Sequence, residues 1–160
     1  MKKSAIFLLV LFISAAAFAF SNIPTSSKIK DFALKDLSGN KVSLDSYNGK
    51  VVLLVFFTTW CPSCQDEIPQ IEAIYRKYRS KNFEAVGVNL RENRDSVQIF
   101  AKENKISFTI LLDEKGDVGA LYKVKYIPMI FILDRSGQIK YSSLYPPAED
   151  IEREVKKALK

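Results

Sequence analysis

The chain has no histidine, and its 160 residues include only two cysteines, Cys61 and Cys64. These scarcities exclude a good deal. A structural zinc site takes four Cys or His ligands, more than the chain holds. Covalent haem attachment needs a His directly after the second Cys, and position 65 is Gln. Small secreted domains that lean on disulfides join distant segments through four or more cysteines. A bridge between positions 61 and 64 closes almost no loop, so it removes little entropy from the unfolded chain. A purely structural bridge is one reading of the spacing, and redox chemistry explains the pair better. Lys and Arg outnumber Asp and Glu by 24 to 18, but they are scattered among the acids, as in Arg91-Glu92-Asn93-Arg94-Asp95. A nucleic-acid footprint clusters its cations on one face with stacking aromatics between them. None is visible, so this run reads as a solvated loop and no nucleic-acid partner is expected.

Only one long apolar run exists, Ala5 to Phe20, broken by Ser14. It is shorter than the roughly 20 residues a bilayer core requires. Lys2 and Lys3 precede it, and Ala17-Phe18-Ala19 has the small-x-small form of a signal-peptidase site. Residues 1–19 are therefore expected to be a signal peptide, with an uncleaved membrane anchor as the alternative. Either places the following domain outside the cytoplasm, in a periplasm or on the outer face of the cytoplasmic membrane. Residues 20–28, with Pro24 and three Ser or Thr, read as a flexible lead-in. Residues 29–160 suit a single domain with a real core.

Within that domain, Asp36-Leu37-Ser38-Gly39-Asn40-Lys41 reads as a turn. Val51 to Thr58 is a continuous apolar run rich in β-branched and aromatic residues, the pattern of a strand buried on both faces. After the cysteines Ile68, Ile71, Ile74, Tyr75 and Tyr78 recur at three- and four-residue steps, which predicts a helix ending near Ser80. Phe83 to Asn89 is a second buried strand. Asp95 is placed to cap a short helix that buries Val97, Phe100 and Ala101. Ser107 to Leu112 predicts a strand, and Asp117 to Tyr122 a brief helix. Met129 to Leu133 and Gln138 to Leu144 flank Asp134-Arg135-Ser136-Gly137 as a hairpin. A final helix lines up Ile151, Val155 and Leu159. The order implies a mixed sheet covered by helices, an α/β domain.

The two thiols fall where the buried strand passes into the helix, with Pro62 at the first helical position, where a missing N–H costs nothing. Free N–H groups and the positive helix end favour a thiolate at Cys61, the candidate nucleophile. Cys64, one turn deeper, suits the resolving step that breaks a mixed disulfide.

The run from Lys50 through Trp60-Cys61-Pro62-Ser63-Cys64-Gln65-Asp66-Glu67-Ile68-Pro69 resembles the core of the TlpA/ResA-type thioredoxin-like proteins. The resemblance extends to Asp31-Phe32, Asp36-Leu37-Ser38-Gly39, Val86-Gly87-Val88-Asn89, Leu112-Asp113 and Tyr126-Ile127-Pro128-Met129. It implies a thioredoxin-like fold with an extra strand and helix inserted before a cis-proline, Pro128. It further implies an extracytoplasmic thiol–disulfide oxidoreductase, in a group partly tied to cytochrome c maturation. Ile127 then offers its backbone to a substrate strand. Glu67 matches an active-site acid able to take the proton from Cys64, or else simply serves the helix dipole. Trp60 packs over the disulfide and limits access, or is a plain core aromatic. Val55 departs from the pattern, standing where thioredoxins carry a buried Asp, which leaves Glu67 as the nearest proton acceptor. Pro62-Ser63 replaces thioredoxin's Gly-Pro.

The leading expectation is a reductase of disulfides in exported proteins, apocytochrome c among them. Its partners would be protein disulfides or dithiols and a membrane thiol carrier that recharges it. It would need no cofactor beyond the Cys61–Cys64 disulfide and no metal. Net disulfide formation is the first alternative. A thiol peroxidase is the second, because Thr58-Thr59-Trp60-Cys61 supplies half of a peroxiredoxin signature whose proline is replaced by Leu54. A non-enzymatic binding module is the third.

Overall fold

A computed structural model of the chain describes residues 30–160. The expected signal, 1–19, and lead-in, 20–28, lie outside the described residues. In chain order the elements are β1 (Ala33–Asp36), β2 (Lys41–Ser43), a 3-10 turn (Leu44–Tyr47), β3 (Val51–Phe57), α1 (Pro62–Tyr78) and β4 (Phe83–Leu90). Then follow α2 (Arg94–Glu103), β5 (Thr109–Asp113), α3 (Asp117–Leu121), β6 (Met129–Leu133), β7 (Ile139–Leu144) and α4 (Ala148–Leu159).

All seven residues of β3 are buried, and the alternation of the strand sends them to two cores. Val51, Leu53, Val55 and Phe57 pack with Ile68, Ile71 and Ile74 of α1, Val97 and Phe100 of α2, and Ile151 and Val155 of α4. Val52, Leu54 and Phe56 pack on the opposite face with Leu44, Val118 and Tyr122. Burying such a side chain is worth about 1.5–3 kcal/mol, which is why an unbroken apolar run marks the centre of the molecule. The sheet has seven strands in the order β2-β1-β5-β4-β3-β6-β7. β3 runs parallel to β4 and antiparallel to β6, and β4 runs parallel to β5. Gly87 lies where β4 crosses the ring of Phe57; a Cβ there would stand 3.0 Å from Phe57 Cε1.

The mixed, helix-covered sheet is as expected, and β6 spans the residues expected of it. α2, β5 and α3 fill the segment before Pro128, which accommodates the expected additional strand and helix. One expectation is corrected. Asn93, not Asp95, caps α2: its side chain accepts the Ser96 N–H at 3.0 Å, and Asp95 lies inside the first turn. The run Arg91 to Asp95 is exposed at four of its five positions, as expected of a solvated stretch, but Glu92 is only partly exposed and accepts two hydrogen bonds from Thr59 and one from Asn89. The expected turn at residues 36–41 joins two strands absent from the sequence-based expectation, β1 and β2, with Gly39 at φ 87°. β1 then extends the sheet by pairing antiparallel with β5.

Candidate active site

Because β3 and β6 are antiparallel and Phe56 pairs with Met129, the C-terminal end of one strand meets the N-terminal end of the other. The loop after β3 carries Trp60 and Cys61, and the loop before β6 carries Tyr126, Ile127 and Pro128. Topology therefore joins two segments that are more than sixty residues apart in sequence. The Ile127–Pro128 peptide bond is cis. Cys61 Sγ lies 4.0 Å from the Ile127 carbonyl oxygen.

Cys61 occupies the N-cap of α1, with φ −81° and ψ 117°, and Pro62 follows at the start of the helix. The N-cap is where a side-chain acceptor satisfies one of the free N–H groups of the first turn. Here the acceptor is sulfur: the Cys64 N–H donates to Cys61 Sγ at 3.3 Å. Both cysteines are free thiols. Cys61 keeps 7 % of its surface exposed and Cys64 none, so a partner molecule reaches the first sulfur before the second. Burial, then the hydrogen bond with Cys61 and the charges of Cys61 and Glu67, push the Cys64 thiol far above its ordinary range.

Glu67 follows Cys64 by three residues, hence on the same helical face. It is 1 % exposed, and neither carboxylate oxygen has a hydrogen-bond partner. Burial pushes its pKa up to about 8. A carboxyl group in that range exchanges protons with thiols far more readily at neutral pH than an ordinary glutamate does. Val55 is wholly buried among apolar side chains.

Trp60 does not behave as a core aromatic. It is 69 % exposed, because Thr59 before it is tied down on the sheet side and Cys61 after it enters the helix cap. The sequence-based reading missed that tie. It consists of Glu92, Asn89 and Gln65 around Thr59. Its detectable signal was topological: two parallel neighbours, β3 and β4, end at the same sheet edge, so the residues just beyond them face each other. Tyr126, beside Ile127, is likewise exposed.

The fold, with a Cys-x-x-Cys pair at the start of the helix after a central strand and a cis-proline opposite, defines a thioredoxin-like thiol–disulfide oxidoreductase. Residues 25–142 match the model of the AhpC/TSA family. The thiol–disulfide oxidoreductase ResA of Geobacillus kaustophilus is 34% identical over 134 residues, which cover 83% of this chain and 77% of the relative. The sporulation thiol–disulfide oxidoreductase A of Bacillus subtilis is 35% identical over 118 residues, 72% of this chain and 71% of its own. Among solved structures, a putative thiol:disulfide interchange protein DsbE from Chlorobium tepidum superposes with a TM-score of 0.81 at 32% identity, covering 85% of this chain and 98% of that one. The chain belongs to the AhpC/TSA family and, within it, to the ResA-type thiol–disulfide oxidoreductases.

Proposed function

We propose that this protein reduces disulfides of exported proteins outside the cytoplasm, with the haem-binding cysteine pair of apocytochrome c as its substrate class. Cys61 is the nucleophile. Its thiolate, held by the Cys64 N–H and the positive end of α1, attacks one sulfur of the substrate disulfide. The S–S bond breaks, the other substrate sulfur leaves as a thiolate that takes up a proton, and Cys61 is left in a mixed disulfide. Cys64 then gives its proton to Glu67 and attacks Cys61. The second substrate thiol departs, Cys61 and Cys64 are oxidised to a disulfide, and the substrate disulfide has been reduced to two thiols. The backbone at Ile127, beside cis-Pro128, pairs with the substrate strand. Trp60 and Pro62, which flank Cys61 in the chain, contact the substrate. No cofactor other than the Cys61–Cys64 disulfide takes part.

The observation that carries the direction is the environment of Cys64. A dithiol becomes oxidising when its reduced form is stabilised as thiolate. Here the second sulfur is fully buried beside an unpartnered carboxyl group, so an anion there is disfavoured and the pair is poised to give electrons. Lys2, Lys3 and the apolar run after them support export, and a membrane-embedded thiol carrier supplies the electrons.

The test is the equilibrium potential of the pair in glutathione and dithiothreitol buffers, followed by reduction of a Cys-x-x-Cys-His disulfide peptide. A potential below about −250 mV, more reducing than many glutathione pools, with reduction of the peptide, is expected. A value near that of strong oxidants, at about −120 mV, would reverse the direction and make the protein a disulfide donor. Peroxide consumption by Cys64→Ser would favour the peroxidase alternative.

A further inference from the structure

Thr59, two residues before the nucleophile, lies beyond the β3 ladder and ahead of the helix, yet every polar group it carries is engaged. Its N–H donates to Glu92 Oε2 at 2.7 Å and its hydroxyl to Glu92 Oε1 at 2.5 Å. Its carbonyl accepts from Gln65 Nε2 at 2.8 Å. Glu92 Oε2 also accepts from Asn89 Nδ2 at 2.6 Å. Asn89 is fully buried and pairs in register with Phe57, the last residue of β3. The carboxylate is therefore seated on the end of the central sheet and grips Thr59 with both oxygens. Gln65 closes the same turn from the helix side, spanning the whole stretch from Trp60 to Cys64.

We propose that Glu92 is a positioning residue for Cys61, a role that rests on the thiol-exchange reading of the site. Through Thr59 it anchors the turn between β3 and α1, so that Cys61 Sγ stays at the Cys64 N–H and beside the Ile127 carbonyl. Fixing the backbone of one residue costs conformational entropy, and an irregular turn has no ladder to offset it. The carboxylate supplies that offset and directs it at one residue. The chemistry requires a carboxylate rather than an amide. Three donors converge on its two oxygens, whereas an amide offers one acceptor oxygen and turns its own N–H groups toward a donor.

The test compares Glu92→Gln, Thr59→Val and Thr59→Ser with the parent in the full-length reduced protein. Three quantities are read: the pH midpoint of Cys61 alkylation by iodoacetamide, the equilibrium constant with glutathione, and Tm. Glu92→Gln is expected to move the alkylation midpoint upward and to change the glutathione constant by about threefold or more. Thr59→Val should shift both in the same sense by less, because it keeps the N–H bond. Thr59→Ser, which keeps N–H and hydroxyl, should restore both. A change in Tm with neither midpoint nor constant altered would show a structural staple and overturn the proposal, as would a Thr59→Ser protein no better than Thr59→Val. Should Glu92→Gln fail to fold, the two Thr59 variants decide alone. If the parent itself exchanges no disulfide, the reading of the site falls, while the alkylation midpoints still decide the role of Glu92.

Discussion

Glu67 and Glu72 lie on the same helix, α1, and both are buried, yet their surroundings are opposite. Burial pushes Glu72 upward, but the Ser107 hydroxyl at 2.6 Å, the Ser107 N–H at 2.8 Å and the Arg76 guanidinium outweigh it. They hold Glu72 below its ordinary range. Glu67 has no such donor, and burial alone pushes it up to about 8. Satisfied, a buried glutamate fastens α1 to the segment leading into β5. Unsatisfied, it costs stability and holds a proton in the range where thiols titrate. The proposed proton transfer would give the second kind a use, since Glu67 stands a helical turn from Cys64.

Glu67→Gln should break that contrast most sharply. The variant keeps the shape but cannot take the proton of Cys64, so turnover with a disulfide peptide at pH 7 should fall about 10²-fold while alkylation of Cys61 is unchanged. Its effect on stability has a definite sign. A folded-state pKa raised above the unfolded 4.5 means that the group burdens the fold progressively as pH rises from 4.5 through about 8. The variant should therefore match the parent in urea unfolding near pH 4.5 and exceed it by roughly 2–4 kcal/mol near pH 9. A difference that does not vary with pH would show that Glu67 has a partner in solution.

Glu72→Ala should do the reverse. It removes the acceptor of three hydrogen bonds, but Ser107 and Arg76 are exposed and their donors can turn to water, so the loss should be about 1 kcal/mol at pH 7, with little change in thiol exchange. Because the pKa of Glu72 is depressed, its contribution is present above 4.5 and lost as pH falls through the folded value. The gap between parent and variant should close in acid, measured by urea titration at pH 7 and pH 3. The smallest effect belongs to Trp60→Ala. An exposed ring outside the core should shift stability by within about 0.5 kcal/mol, so any loss of affinity for a peptide disulfide would report contact with substrate alone.

Much of this was legible in the residues. β3 showed itself as an unbroken apolar run, α1 by the spacing of Ile68, Ile71 and Ile74, and β6 by Met129 to Leu133. Those elements are buried, and burial writes a period into the sequence. β1 and β2 were not legible beyond the turn between them. They are short and only half-buried, so packing imposes little pattern on them. Glu92 was misread for a different reason: charge alternation around it looked like solvent exposure, and nothing local reveals that Thr59, just beyond the strand alongside, is its partner.

By itself the sequence determined the type of fold, the strand-to-helix junction that carries Cys61 and Cys64, and the family resemblance, because local periodicity and residue chemistry are enough for these. Only the tertiary structure decided that the Ile127 carbonyl faces Cys61, that Glu67 is left without a donor, that Glu92 holds Thr59 and that Trp60 stands in solvent. Each of these depends on which strands become neighbours and what a fold brings within 3 or 4 Å, and those distances are set by packing across the sheet, not by position along the chain.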